Sequence, residues 1–349
     1  MLHWMARGCD EAARVDLDMT AISGIFVTIR GAFTARSGRL PVLAVALLGI
    51  ATPARAQDIV KVSVGQRGNW DASVSEIGQR AGIFRKQGLA LDIVYTSGPA
   101  ETLHALIAGQ ADVAVAAGTV NVLAAYAKGA PLRVLGAGMT GVSDLYWYVK
   151  ADSPIRSLKD AAGRTIAYSA EHSLTHRIVT VLLNQHGLKA KPVATGGPAG
   201  TLTQVMTDGI NIGWAAPPFG LDRIESQQIR IIAGGNDAPA FKAQTVRLIV
   251  THAQVQETRK AVLDRYMKAY RETIDLMYTD AGLQIYAAGL GMRMETARRM
   301  RDVFFPKAAL NPDAVRGLDA SLRALAAINI PTESLTRERL AELLQIPRR

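Results

Sequence analysis

Residues 88–117 read GLALDIVYTSGPAETLHALIAGQADVAVAA, and residues 187–216 read GLKAKPVATGGPAGTLTQVMTDGINIGWAA. Laid over one another without a gap, at a constant offset of about 99 residues, the two share about eleven identities in about thirty positions. Each reads Gly-Leu, a short extended stretch ending at Thr96 or Thr195, then Gly-Pro-Ala, Thr-Leu, a helical stretch and an apolar run closing in Ala-Ala. Proline directly after glycine suits the first helical position, where its fixed φ fits the helix and its missing N–H would have had no partner. The repeated unit is therefore strand, glycine turn, helix, strand.

Outward from the repeat, another strand and helix precede each copy, at 60–64 and 72–87 and again at 164–168 and 175–186. Apolar runs alternating with helical patterns imply parallel sheets with crossover helices, so the fold class is α/β with two lobes of similar build. Residues 113–117 and 210–215 lack a polar face, as strands covered on both sides do. Two segments join the lobes: 144–150 leaves the first, and 245–251, where Val246, Leu248 and Val250 alternate, returns to it. After Gln254 the pattern is almost wholly helical, broken at Pro306, Pro312 and Pro331, and these helices are expected against the first lobe. The expected boundaries are 57–147 plus 249–349 for lobe 1 and 148–248 for lobe 2.

A length of 349 residues exceeds what one hydrophobic core usually supports, and an apolar fraction of 49% is ordinary for globular chains. Arg30, Arg36 and Arg39 precede an uncharged run at 40–52, after which Ala54 and Ala56 offer small residues at the positions a signal peptidase reads. The leader 1–56 is expected to be removed near Ala56/Gln57, which places the protein in a periplasm. The run is shorter than the roughly 20 residues a helix needs to cross a bilayer, so it is not an anchor. Asp10, Glu11, Asp16 and Asp18 are foreign to a secretory n-region; translation from Met19, or from Val27, would leave a leader of normal proportions. Cys9 is the only cysteine and lies in the leader, which excludes disulfides and thiol chemistry from the exported chain. The net charge of +10 is spread along the sequence without a basic stripe or aromatic platform, so no nucleic-acid partner is expected.

Three blocks carry a family resemblance: AGIFRKQGL at 81–89, AGQADV at 108–113 and DSPIRSLKDAAGR at 152–164. With them the sequence resembles the periplasmic binding proteins of nitrate/sulfonate/taurine-type ABC importers, which have the type II periplasmic binding fold. The resemblance covers essentially all of 57–349. It implies a monomeric clamshell that closes on one small-molecule solute and then docks transiently on ABC permease subunits at the inner membrane, without cofactor or catalysis. Relatives of this fold carry pyrimidine precursors or aromatic acids, and one makes the thiamine pyrimidine with a cysteine-rich motif that has no counterpart here. Those are the alternatives.

Ligands of α/β sheets lie at the C-terminal ends of the strands, against helix N-termini whose unpaired N–H groups attract anionic oxygens. In lobe 1 the candidates are Gln66, Arg67 and Trp70 in the loop after the first strand, Ser97 and Gly98 at the repeated turn, and Gly118 and Thr119. Trp70 in a polar loop could stack on a planar solute, or pack at the rim. In lobe 2 they are Ser169, His172 and Ser173, with Gly197 and Pro217 completing the edge. The serines could equally be helix caps.

Two sharper motifs are set aside. Residues 136–141 read GAGMTG, a G-x-G-x-x-G match, but the following residues are extended in pattern where a dinucleotide site requires a helix. His172 and His176 stand four apart beside Glu171, yet without a third well-placed ligand they are read as solvated or capping, and no metal is assigned.

Overall fold

A computed structural model describes residues 57–348; the leader, its cleavage point and Cys9 lie outside the described residues. The strands are β1 (Asp58–Gly65), β2 (Leu89–Thr96), β3 (Val113–Gly118), β4 (Leu132–Thr140), β5 (Tyr146–Lys150), β6 (Thr165–Tyr168), β7 (Lys191–Ala194), β8 (Gly213–Ala215), β9 (Ile229–Gly234) and β10 (Thr245–His252). One sheet has the order β2-β1-β3-β10-β4, with β1 parallel to both neighbours and β10 antiparallel to β3 and β4. In the second lobe β6 and β7 are parallel, while β5 runs antiparallel between β8 and β9. A parallel bridge between Ile166 and Ile212 joins the two groups, with Ala167 N–H donating to the Ile212 carbonyl at 2.8 Å. The resulting order β7-β6-β8-β5-β9 repeats that of the first lobe. In each lobe the antiparallel strand is the one that crosses from the other half of the chain.

The duplication extends to individual hydrogen bonds. Thr96 and Thr102 hydroxyls lie 2.7 Å apart, as do those of Thr195 and Thr201. Thr102 donates to the Gly98 carbonyl and Thr201 to the Gly197 carbonyl, both at 3.0 Å. At the opposite end, the Asp112 carboxylate accepts from Lys61 N–H at 2.9 Å, and the Asn211 side-chain carbonyl accepts from Thr165 N–H at 3.0 Å. The corner after each helix is left-handed, at Gly109 (φ 70°) in the first copy and Asp208 (φ 62°) in the second. Asp208 is ion-paired there with Lys150 at 2.9 Å.

Since Thr102 and Thr201 are fully buried, the Thr102→Val and Thr201→Val variants are each expected to lose about 1 kcal/mol of unfolding free energy. They share no partner, so the double variant should lose the sum. Urea denaturation of the three variants checks this; a neutral Thr102→Val would mean the glycine turn does not depend on its hydroxyl.

The first sheet is covered on both faces. One face packs Val60, Val62 and Val64 against Phe84 and against Tyr266 and Tyr270 of the helix Lys260–Met277. The other packs Leu248 and Val250 against the helices Pro99–Ile107 and Thr119–Ala127, with Leu325 and Leu343 from the end of the chain. The C-terminal helices therefore lie on the first lobe. The second lobe has its own core, from Trp147 and Ile166 to Ile178 and Leu182.

Local differences from the expected elements have simple causes. The single helix expected over 72–87 is split into Val74–Arg80 and Ile83–Lys86, because Gly82 adopts φ 73° between them. The glycine motif at 136–141 lies in β4 and its edge, and no helix starts there. A methyl on Gly136 would stand 2.7 Å from the Pro312 carbonyl, so close backbone approach explains that glycine without a cofactor.

Candidate functional site

The C-terminal ends of the parallel strands bring the candidate loops to one edge of each lobe. Gly98 and Gly197 precede the helices Pro99–Ile107 and Pro198–Met206, and a methyl built on either would meet nothing within 4 Å. Both turns thus face open space, in front of helix starts whose first N–H groups have no partner within the helix. Ser97 acts locally, donating both its N–H and its hydroxyl to Glu101. Those bonds hold the Glu101 carboxyl below its ordinary range.

In the loop after β1, Gln66 is half-buried and Arg67 is exposed. The Arg67 guanidinium lies 5.5 Å from the centre of the Tyr95 ring and 3.5 Å from Glu76, so it covers the outside of β2. Trp70 corrects the expectation of a stacking platform. It is fully buried, its indole N–H donates to the Tyr278 hydroxyl at 3.3 Å, and it meets Tyr286 edge-on with centroids 4.7 Å apart. No face of the ring is left for a solute. Thr119 is corrected likewise: it is buried, and its hydroxyl is donated to the Thr245 carbonyl at 2.8 Å. Gly118 is half-buried beside it and pairs with Arg247 across the β3–β10 ladder.

In lobe 2 the loop after β6 is organised by the buried Thr175, whose hydroxyl accepts from Ser169 N–H at 2.9 Å and lies 2.9 Å and 3.0 Å from the Ser169 and Ser173 hydroxyls. Ser173 also caps the helix Leu174–Gln185, accepting from His176 N–H. A hydroxyl has one donor and two lone pairs, so these contacts leave Ser169 capacity for another partner. Exposed His172 has a left-handed backbone (φ 61°). The turn at Gly197 is tied alongside through Gly196 N–H to the Ser169 carbonyl at 3.0 Å.

The two edges meet where Gly68 approaches Pro218, to which a methyl on that glycine would come within 3.4 Å. Pro217 is buried behind this contact, not presented to the edge. Behind the loops lies a charge cluster that sequence reading missed. Arg247 of β10 donates to Asp144, between β4 and β5, at 2.6 Å and to Asp71 at 3.2 Å; all three are buried. Burial outweighs the attraction of Arg247 and, with the nearby Asp144 carboxylate, raises the Asp71 carboxyl above its ordinary range. Burial would lower the Arg247 guanidinium, but Asp144 and Asp71 together hold it above its ordinary value. The bond to Asp144 is the shorter of the two ion pairs, and Asp71 is the acid that burial holds above its ordinary range. A signal was present: Arg247 interrupts the apolar run from Val246 to Val250, and a cation in a covered strand demands acidic partners.

A cavity of about 800 Å³ lies elsewhere, on the flank of lobe 1 among Arg265, Lys268, Arg271, Lys307 and Arg348, and a second of about 250 Å³ lies beside Lys150 and Asp208. None of the candidate residues lines either one.

Two lobes of one topology, with loop edges meeting across the crossing strands, define the periplasmic binding protein class of α/β fold. Residues 76–281 match the NMT1/THI5-like family profile, and the chain belongs to that family. No curated protein matches the sequence. Among solved structures, the periplasmic aliphatic sulphonate binding protein SsuA from Escherichia coli is similar with a TM-score of 0.66 at 16% identity, over 84% of this chain and 93% of that one. The alkanesulfonate-binding protein SsuA from Xanthomonas axonopodis pv. citri, bound to MOPS, gives 0.62 at 16% identity, over 80% and 96%. The desulfurization enzyme DSZB gives 0.61 at 16% identity, over 83% and 97%.

Proposed function

We propose that the protein is the substrate-binding component of an ABC importer, working in the periplasm as a monomer of two lobes, 57–147 plus 249–349 and 148–248. It captures a small anionic or planar organic solute, of the sulfonate, nitrate or taurine kind, and delivers it to permease subunits at the inner membrane. One observation supports the reading: the same glycine turn and helix start is built twice, and a methyl on either glycine would meet nothing within 4 Å. N–H groups at Gly98 and Gly197, with Ser169, Ser173 and His172 beside the second, suit the oxygens of an oxyanion, whereas both donors of Ser97 are taken by Glu101. A solute touching both lobes binds the closed form better than the open one, which is what drives closure. That both SsuA structures are of sulfonate-binding proteins supports the sulfonate end of the range.

A pyrimidine-precursor or aromatic-acid reading loses its best contact with Trp70 in the core. DSZB is an enzyme of similar fold, and residues 57–348 of this chain contain no cysteine. Thermal unfolding and calorimetric titration with alkanesulfonates, taurine, nitrate, pyrimidines and an aromatic sulfinate test the proposal. A solute at a hundred times its Kd should add about 2.7 kcal/mol of stability. Stabilisation by a pyrimidine alone would replace the oxyanion reading with the second one. No response to any of them would remove both.

A further inference from the structure

The loop after β6 holds a group of side chains, Glu171, His172 and His176, of which the proposed solute contacts use only His172. Glu171, His172 and His176 each offer a donor atom, and the three atoms lie within 4.8 Å of one another. His176 Nδ1 is 3.2 Å from Glu171 Oε2 and 3.1 Å from the His172 backbone nitrogen, whose N–H it accepts. Nδ1 has a single in-plane lone pair, so an ion bound there takes the place of that hydrogen bond. Two donors 3.2 Å apart, each about 2.1 Å from one ion, subtend roughly 100° there, within the range of ordinary metal coordination.

The surroundings fix this geometry. The His176 ring stacks on Tyr168 with centroids 4.2 Å apart and planes at 10°, and the Tyr168 hydroxyl donates to the other oxygen of Glu171. His172 is brought back over the helix start by its left-handed backbone, a conformation that costs energy outside glycine and persists where the surroundings impose it. Its ring centre lies 6.2 Å from that of His176. Read in sequence alone, the histidine pair lacked a third well-placed ligand; folding brings Glu171 into that place.

We propose that Glu171, His172 and His176 bind one divalent transition-metal ion, of the zinc, nickel or copper class, at the lobe 2 edge. Two imidazoles and one carboxylate match the preference of these ions over magnesium or calcium. Three protein donors leave at least one coordination position, and because Glu171 and His172 are exposed that position is open to an anionic oxygen entering between the lobes. The ion thereby supplies lobe 2 with the positive charge that its glycine and serine edge lacks. This last point rests on the solute-binding reading; the ion site itself does not.

The test uses the exported chain treated with EDTA, dialysed and titrated with Zn²⁺ against a chromophoric chelator. The expected result is one tight equivalent, weakened at least 100-fold in His176→Ala and in His172→Ala and unchanged in His186→Ala. Circular dichroism and urea midpoints of the variants exclude a folding defect, and Glu171→Gln, which keeps the shape, should weaken binding at least tenfold. Absence of a tight equivalent, or its survival in the His172→Ala/His176→Ala double variant, overturns the proposal. Titrating the solute panel with and without Zn²⁺ keeps the two readings apart. Zinc uptake with no solute response sinks the solute reading alone, whereas solute binding in EDTA with no zinc uptake sinks the metal site alone.

Discussion

Arg247→Met is expected to lower the unfolding free energy by about 3–5 kcal/mol, because it leaves Asp144 buried and charged without its partner. The same guanidinium joins three separate stretches of chain, β10, the crossover before β5 and the turn at Asp71, so the loss is not confined to one contact. Urea denaturation at neutral pH measures it, and a loss below about 1 kcal/mol would mean that the buried cluster does not depend on Arg247. Adding Asp144→Asn to Arg247→Met should recover part of the loss by removing the stranded charge.

Asp71 has a separate signature. Its carboxyl is raised above 3.8 in the folded protein, so the native state holds that proton more tightly than the unfolded chain. Its contribution is complete below the unfolded value and is lost as pH rises through the folded one. The stability of wild type relative to Asp71→Asn should therefore fall with rising pH across that window. A difference that rises instead would show Asp71 acting as an ordinary ion-paired carboxylate.

Trp70→Ala should cost about 3–5 kcal/mol, the range for emptying a large aromatic from a packed core. Tyr278 and Tyr286 lose their edge contacts together, and Tyr286 also anchors the candidate loop by donating to the Gly68 carbonyl at 2.5 Å. Trp70→Phe keeps most of the packing and loses only the hydrogen bond to Tyr278, so it should retain most of the stability and the full response to solute. A Trp70→Phe variant that folds normally but no longer responds would restore the stacking role that burial argues against.

The scaffold was legible because duplication writes it twice. Gly98 and Gly197, or Thr102 and Thr201, recur at one offset, and a chance helix in one copy would not be repeated in the other. Strand limits were less legible, as at β8, where Ile210 and Ile212 are as apolar as Trp214 but the strand is Gly213–Ala215, with Ile212 held by a single bridge to Ile166. The edge residues were located by the general position of α/β ligands, which selects loops but not the direction of side chains. Trp70 and Thr119 are in those loops and turn inward, since the apolar surface of one and the hydroxyl of the other find partners 208 and 126 residues away. Arg247 was visible as a charge in an apolar strand, but its acids come from two distant loops that no local pattern links. Glu171 and His176 were legible as neighbours, whereas their donor atoms are brought together by the stack on Tyr168 and by the helix cap.

The two kinds of charge contact along the junction respond differently to the medium. Arg293 and Thr296 reach across from the C-terminal helices to Glu225 beyond β8, with Arg293 mostly in solvent, so that tether slackens as ionic strength rises and the Debye length shrinks toward atomic dimensions. The Arg247 cluster is buried and hardly feels dissolved ions. A brackish or dilute surrounding would thus weaken the outer tether at Arg293 and leave the inner cluster at Arg247 as it is.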